Sequence, residues 1–179
     1  MSNVVLLTGP SGSGKTTVAR LVATDAARPT VQVTTDEFFR AIRTGFVPPY
    51  LPESQRQNVV VVDAIVAAVA VYAEGGYDVV VDGIIGPWFL PPYRAAASAG
   101  DWRMSYVVLR PDLATTLERG QARGGAELTD TDALTGLHGA FADLGELERH
   151  VIDTSGLDAE STAAEVRKAV ASGDYLLSV

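Results

Sequence analysis

Cysteine is absent from the 179 residues. Disulfides, zinc–thiolate sites, iron–sulfur clusters and cysteine nucleophiles are excluded with it. Lysine is nearly absent. Lys15 and Lys168 stand against twelve arginines. Basic residues as a whole are in deficit, 14 against 22 acidic, for a net charge of −8. A field of that sign repels phosphate backbones, so neither nucleic acid nor an anionic membrane surface is an expected partner. Long apolar runs are also missing. The stretch 59–73 is interrupted by Asp63 and spans about fifteen residues, where a bilayer takes roughly 20. The apolar stretch 4–7 has no basic segment before it and is far too short for a signal peptide. A cytoplasmic location is the expectation. The two histidines, His138 and His150, show no spacing for a metal or a Ser–His pair and read as surface or packing residues.

What is present is a globular composition, 47% hydrophobic and 20% charged, at a length that fits a single domain over 1–179. Such a chain buries on the order of 70% of its unfolded surface. Val4-Val5-Leu6-Leu7 is continuously apolar, as suits a strand buried on both faces. A helix is expected from Thr16 to Thr24, a second strand from Thr30 to Val33, and a helix from Asp36, as N-cap, to Ile42. Residues 44–52 read as a loop, and 53–74 as a long helix stopped by Gly75-Gly76. A third strand ends at Asp82, and a glycine–proline loop follows through Pro92. Residues 106–109 form a fourth strand, and a helix starts at Pro111 and runs to about Arg123. A polar, helical segment over 128–147, a strand at 151–152 and a helix over 159–171 complete the chain. Alternation of this kind predicts an α/β protein with a parallel sheet and right-handed crossovers.

Gly9-Pro10-Ser11-Gly12-Ser13-Gly14-Lys15-Thr16 matches G-x-x-x-x-G-K-[ST] in full. Glycines let the backbone wrap closely, so that successive N–H groups point at phosphates. The helix that follows presents its positive end to the same anion. Lys15 is expected at the β- and γ-phosphates, and Thr16 at Mg²⁺ with Thr17 beside it. No N-K-x-D element reads guanine, because Lys168 follows Arg167. The common GTPases are thereby excluded. Three valines and then an acid at 79–82 make Asp82 a Walker-B-like candidate for Mg²⁺ or substrate.

On the phosphate loop, and more loosely over the rest of the chain, the sequence resembles the small P-loop kinases: shikimate and gluconate kinases, chloramphenicol phosphotransferase and related antibiotic phosphotransferases. The resemblance implies a three-layer fold, a five-stranded parallel sheet of order 2-3-1-4-5 with helices on both faces. It also implies that Asp36, beyond the second strand, accepts the proton of an attacking hydroxyl. An acceptor region is expected over about 36–60 and 83–95, with Asp36, Arg40, Asp82 and Trp88 touching the acceptor. Arg43, Tyr50, Arg56, Gln57, Asn58, Phe89, Tyr93 and Arg94 are expected to flank it. In such kinases arginines near a lid stack on the base and neutralise the transferring phosphate. Arg119 and Arg123, four apart on a helix, take that role here, before a short lid at about 124–140. The lid departs from the family pattern, since 126–136 holds no basic residue. Asp153 sits where related kinases meet the purine, and would favour guanine.

The expected activity is an ATP-dependent transfer, with GTP as the alternative donor and Mg²⁺ as cofactor, to a hydroxyl of a small molecule. An antibiotic of nucleoside or chloramphenicol-like type fits as acceptor, with self-resistance as the purpose. Sugar-acid or nucleotide kinases are the alternatives. A nucleotide-binding switch with weak hydrolysis is the reading from another class.

Overall fold

The computed structural model describes residues 1–100, 102–122 and 130–178. The apolar runs form β1 (Ser2–Thr8), β2 (Thr30–Thr34), β3 (Asp78–Asp82), β4 (Trp102–Leu109) and β5 (Val151–Ile152). They pair in parallel in the order β2-β3-β1-β4-β5. In the central strand, Leu7 lies beside Asp82 on one side and Val107 on the other. The helices are α1 (Lys15–Thr24), α2 (Thr35–Arg40), α3 (Gln55–Glu74), α4 (Leu90–Ala99), α5 (Leu113–Gln121), α6 (Thr131–Gly139) and α7 (Ala159–Ser172).

Alternate residues of one strand enter opposite cores, because successive side chains leave opposite faces of the sheet. Val4 and Leu6 pack with Ile65 and Val69 of α3 and with Tyr93 of α4. Val5 and Leu7 pack with Val18 and Val22 of α1 and Val166 of α7. Both faces are thus covered, which is why β1 carries no polar residue between Val4 and Leu7. Burial of each such side chain is worth about 1.5–3 kcal/mol. The helical segment Pro52–Glu74 is long and apolar enough to cross a membrane by length and composition, with a mean hydropathy of 1.5. Its inward residues Val61, Val62, Ile65, Val69 and Ala73 join the core instead.

Several local expectations change. The segment taken as a loop through Pro92 contains a 3-10 turn (Pro87–Phe89) and then α4. Pro91 and Pro92 fit there because the first N–H groups of a helix have no intrahelical acceptor to lose. Thr34, not Asp36, is the N-cap of α2, and Asp36 lies inside its first turn. A negative charge at that place still suits the helix dipole. Asp112 caps α5 by accepting from the Thr115 N–H, so Pro111 stands outside that helix. The polar segment 128–147 is not one helix; α6 ends at Gly139, and a 3-10 helix runs over Gly145–His150. His150 is wholly buried and its Nδ1 lies 3.0 Å from the Tyr106 carbonyl, a packing role.

Candidate functional site

The turn from β1 into α1 is built on backbone that side chains cannot follow. Gly9 has φ +141°, and a Cβ there would sit 2.0 Å from the Leu109 carbonyl oxygen. Gly12 has φ +92°, and its Cβ would meet the Thr116 carbonyl oxygen at 2.5 Å. The loop is therefore seated against the end of β4 and against α5. Gly14 caps α1 in the left-handed conformation. No side chain caps this helix, and its first turn carries no acidic residue. Its leading N–H groups and positive end are thus open to an anion. Ser13 Oγ is buried and has no hydrogen-bond partner among the described residues. A helix opening with no capping side chain and an orphaned hydroxyl fits a phosphate chain. Lys15, 8% exposed, donates from Nζ to the Pro10 carbonyl at 3.0 Å, which folds it over the loop.

Thr16 Oγ1 donates to Asp82 Oδ1 at 2.7 Å. The other carboxylate oxygen of Asp82 accepts from Thr34 Oγ1 at 2.9 Å and Gln32 Nε2 at 2.8 Å. Asp82 is 1% exposed, so three donors hold an acid in place beneath the loop. Hydroxyl plus carboxylate is a hard oxygen donor set of the kind Mg²⁺ takes alongside phosphate oxygens. Gln32 and Thr34 are functional neighbours that the sequence reading missed. Their signal was the alternation in Thr30-Val31-Gln32-Val33-Thr34, which puts Gln32 and Thr34 on one face of β2.

A cleft of about 1330 Å³ opens at the carboxyl ends of β2 and β3. Lys15, Thr16, Asp36 and Asp82 line its polar end, and Arg40, Arg43, Tyr50, Asn58, Trp88 and Tyr93 line the remainder. Arg40 is paired with Glu37 at 2.6 Å. Arg94 turns elsewhere and donates to the Ser178 carbonyl at 3.0 Å. The segment after β3 is fixed at its root. The Ile85 N–H donates to Thr8 Oγ1 at 2.8 Å, and Tyr106 Oη donates to the Ile85 carbonyl at 2.8 Å.

The arginines separate. Arg119 donates to the carbonyls of Thr154 and Leu157, at 3.4 and 3.0 Å. It lies against the loop after β5, where the purine is expected, and is not among the residues that line the cleft. In that loop Asp153 accepts from the Ser155 N–H at 3.0 Å and from its hydroxyl at 2.5 Å. Those bonds hold the Asp153 carboxyl below the usual carboxylate range, with the hydroxyl bond the larger cause. One of its oxygens is therefore spent on the turn. Arg123 and the first part of the expected lid lie outside the described residues.

Comparison with known proteins agrees with this fold. No curated protein sequence matches the chain. Among solved structures, the tunicamycin resistance protein of Deinococcus radiodurans superposes with a TM-score of 0.69 at 18% identity, covering 100% of each chain. A gluconokinase from Sinorhizobium meliloti gives 0.66 at 20% identity, over 95% of this chain and 92% of that one. A shikimate kinase from Acinetobacter baumannii, in complex with shikimate, gives 0.59 at 20% identity, over 97% and 94%. Likeness at such identities is likeness of fold. The family model described as AAA domain (AAA_33) matches residues 4–143, which takes in the phosphate loop, Asp36 and Asp82. Over that span, most of its length, the chain belongs to the AAA domain family of P-loop proteins.

Proposed function

We propose that this protein is a small-molecule kinase, moving the γ-phosphate of ATP to a hydroxyl of a small acceptor. One observation carries the reading. The nucleotide cradle of Lys15 and Thr16 and the carboxylate of Asp36 line the same open cleft, which has room for an acceptor beyond them. A switch protein has no use for such a space. Asp36 is the base: it takes the proton as the acceptor oxygen bonds to phosphorus and the bond to the β-phosphate oxygen breaks, releasing ADP. Thr16 and Asp82 are the residues that would hold Mg²⁺. The metal, when bound, neutralises charge between the β- and γ-phosphates. GTP is the alternative donor, with the free oxygen of Asp153 as a contact for the base. An antibiotic is the proposed acceptor class, with a sugar acid or a nucleotide as the alternatives. A cytoplasmic site of action goes with the ATP requirement.

The test is release of ADP with Mg²⁺, with and without a panel of hydroxylated compounds, for the wild type, Lys15→Ala and Asp36→Asn. Lys15→Ala is expected to abolish transfer. Asp36→Asn is expected to keep nucleotide affinity and lose about 10²–10⁴-fold in kcat. Full turnover in Asp36→Asn removes it from the base role. Hydrolysis that no acceptor stimulates favours the switch.

A further inference from the structure

The two walls of the cleft beyond Asp36 are apolar, and they are held in place while exposed. One wall is the loop before α3. Phe46, Tyr50 and Leu51 line the cleft and are 47%, 57% and 39% exposed. The loop is not loose. Gln57 clamps Val47 by two backbone bonds, accepting from its N–H at 2.9 Å and donating to its carbonyl at 2.7 Å. Asn58 donates from Nδ2 to the Pro49 carbonyl at 2.8 Å and to Ser54 Oγ at 2.9 Å. Val59, 51% exposed, extends the same wall along α3.

The other wall is the 3-10 turn after β3. Trp88 there is 52% exposed although three neighbours fix its ring. It meets Phe89 and Phe141 at centroid distances of 6.1 and 6.2 Å. It also lies across Gly86, where a Cβ would stand 2.3 Å from the ring. Leaving large apolar side chains in water is unfavourable, and fixing them there adds an entropic cost. Five such residues on one cleft, braced by side-chain hydrogen bonds and ring contacts, form a preorganised apolar surface.

The charges near the catalytic end decide what kind of molecule covers that surface. Asp36, Glu37, Arg40 and Arg43 line the cleft there, two of each sign. Glu37 lies 2.6 Å from Arg40, so that pair is internally balanced. An anionic acceptor finds no excess of positive charge among these residues.

We infer that the acceptor is an uncharged amphiphile: a hydroxyl-bearing polar head at Asp36, joined to an aryl or alkyl body that lies between Trp88 and the Phe46–Leu51 wall. This inference rests on the kinase reading only for the role of the hydroxyl. The binding of the apolar body stands apart from it.

The experiment is therefore a binding measurement first. Methyl and octyl β-glucoside, the latter below its micelle-forming concentration, and gluconate are titrated calorimetrically into the nucleotide-bound Asp36→Asn protein. They are then titrated into Trp88→Ala, Tyr50→Ala and Tyr72→Ala versions of it. Tyr72 is exposed at the far end of α3 and serves as the control for non-specific adsorption. Octyl glucoside is expected to bind about 100-fold more tightly than methyl glucoside, as burial of several methylenes requires. Trp88→Ala and Tyr50→Ala are each expected to weaken it about tenfold, and Tyr72→Ala to leave it unchanged. ADP release by the wild type is then measured with the same glucosides. Chain-length-dependent binding without ADP release leaves the amphiphile inference standing and counts against the kinase reading. Equal affinity for the two glucosides, tighter binding of gluconate, or indifference to both wall variants overturns the inference.

Discussion

Thr16 and Asp82 are joined by a 2.7 Å hydrogen bond that links the first turn of α1 to the end of β3. Asp82 reaches three donors from two elements, Thr16 from α1 and both Gln32 and Thr34 from β2. The acid is thus a structural fastener as well as a candidate metal contact. It fixes how far the phosphate loop stands from β2, and so from Asp36 at the start of α2.

Asp82→Asn tests both roles at once. The amide replaces one acceptor oxygen with a donor that faces Thr16, or else Thr34 and Gln32. Thr hydroxyls can turn to accept, but the Gln32 amide is restrained by its second bond to the Thr16 carbonyl at 3.3 Å. Leaving a buried donor unmet costs about 1–3 kcal/mol. Thermal unfolding is expected to fall by about 2–10 °C. Transfer is expected to fall by about 10²-fold or more, with a raised Mg²⁺ requirement, since the charge at the metal position is gone. Loss of stability with an unchanged Mg²⁺ requirement would leave Asp82 a fastener only.

A second prediction concerns acid. Arg110 at the end of β4 grips the segment before β5, with Nη1 2.7 Å from the Phe141 carbonyl and Nη2 2.8 Å from Glu148 Oε2. The Arg110 bond, aided by the Leu144 N–H, holds the Glu148 carboxyl down at about 2, from an ordinary value of 4.5. The folded pKa lies below the unfolded one, so the unfolded chain takes up the proton first. The stabilisation is fully present above pH 4.5 and is lost as the pH falls toward about 2. Glu148→Gln is accordingly expected to melt below the wild type at pH 7, by an amount that shrinks with added salt. The two melting curves are expected to converge between pH 4.5 and about 2. A constant difference across that range would assign the effect to packing rather than to charge.

How legible these features were follows from the physics behind each. The phosphate loop could be read directly because its backbone demands glycine: positive φ and carbonyl contacts at Gly9 and Gly12 allow nothing larger. The sheet order came through the same motif and the family it resembles. Helix α4 stayed hidden because Pro91 and Pro92 read as chain breakers, although prolines in a first helical turn break nothing. Gln32 was passed over because a polar residue in a short strand looks like surface. Its partner, Asp82, is 50 residues away, and only strand pairing brings them together. Where Arg119 reaches depends on the course of the loop after β5, whose Thr154 and Leu157 carbonyls accept from it. Nothing local to α5 encodes that.

The third prediction isolates the clamp on the acceptor wall. Gln57 does not line the cleft; it acts on the acceptor only through Val47 and the loop that presents Phe46 and Tyr50. Gln57→Ala removes two hydrogen bonds, each worth about 0.5–1.5 kcal/mol net. The unmet Val47 groups are close to solvent, so the global melting temperature is expected to change little. The loop, however, must then be ordered when the acceptor binds, and that ordering is drawn from binding energy. KM for the acceptor is expected to rise about 5–30-fold. KM for the nucleotide and kcat at saturating acceptor are expected to hold, because Lys15, Thr16 and Asp36 sit on other elements. Gln57→Glu keeps one oxygen for the Val47 N–H and is expected to recover part of the loss. A fall in kcat with both KM values unchanged would instead place Gln57 in the path of the chemistry, and the wall would then not be what the clamp serves.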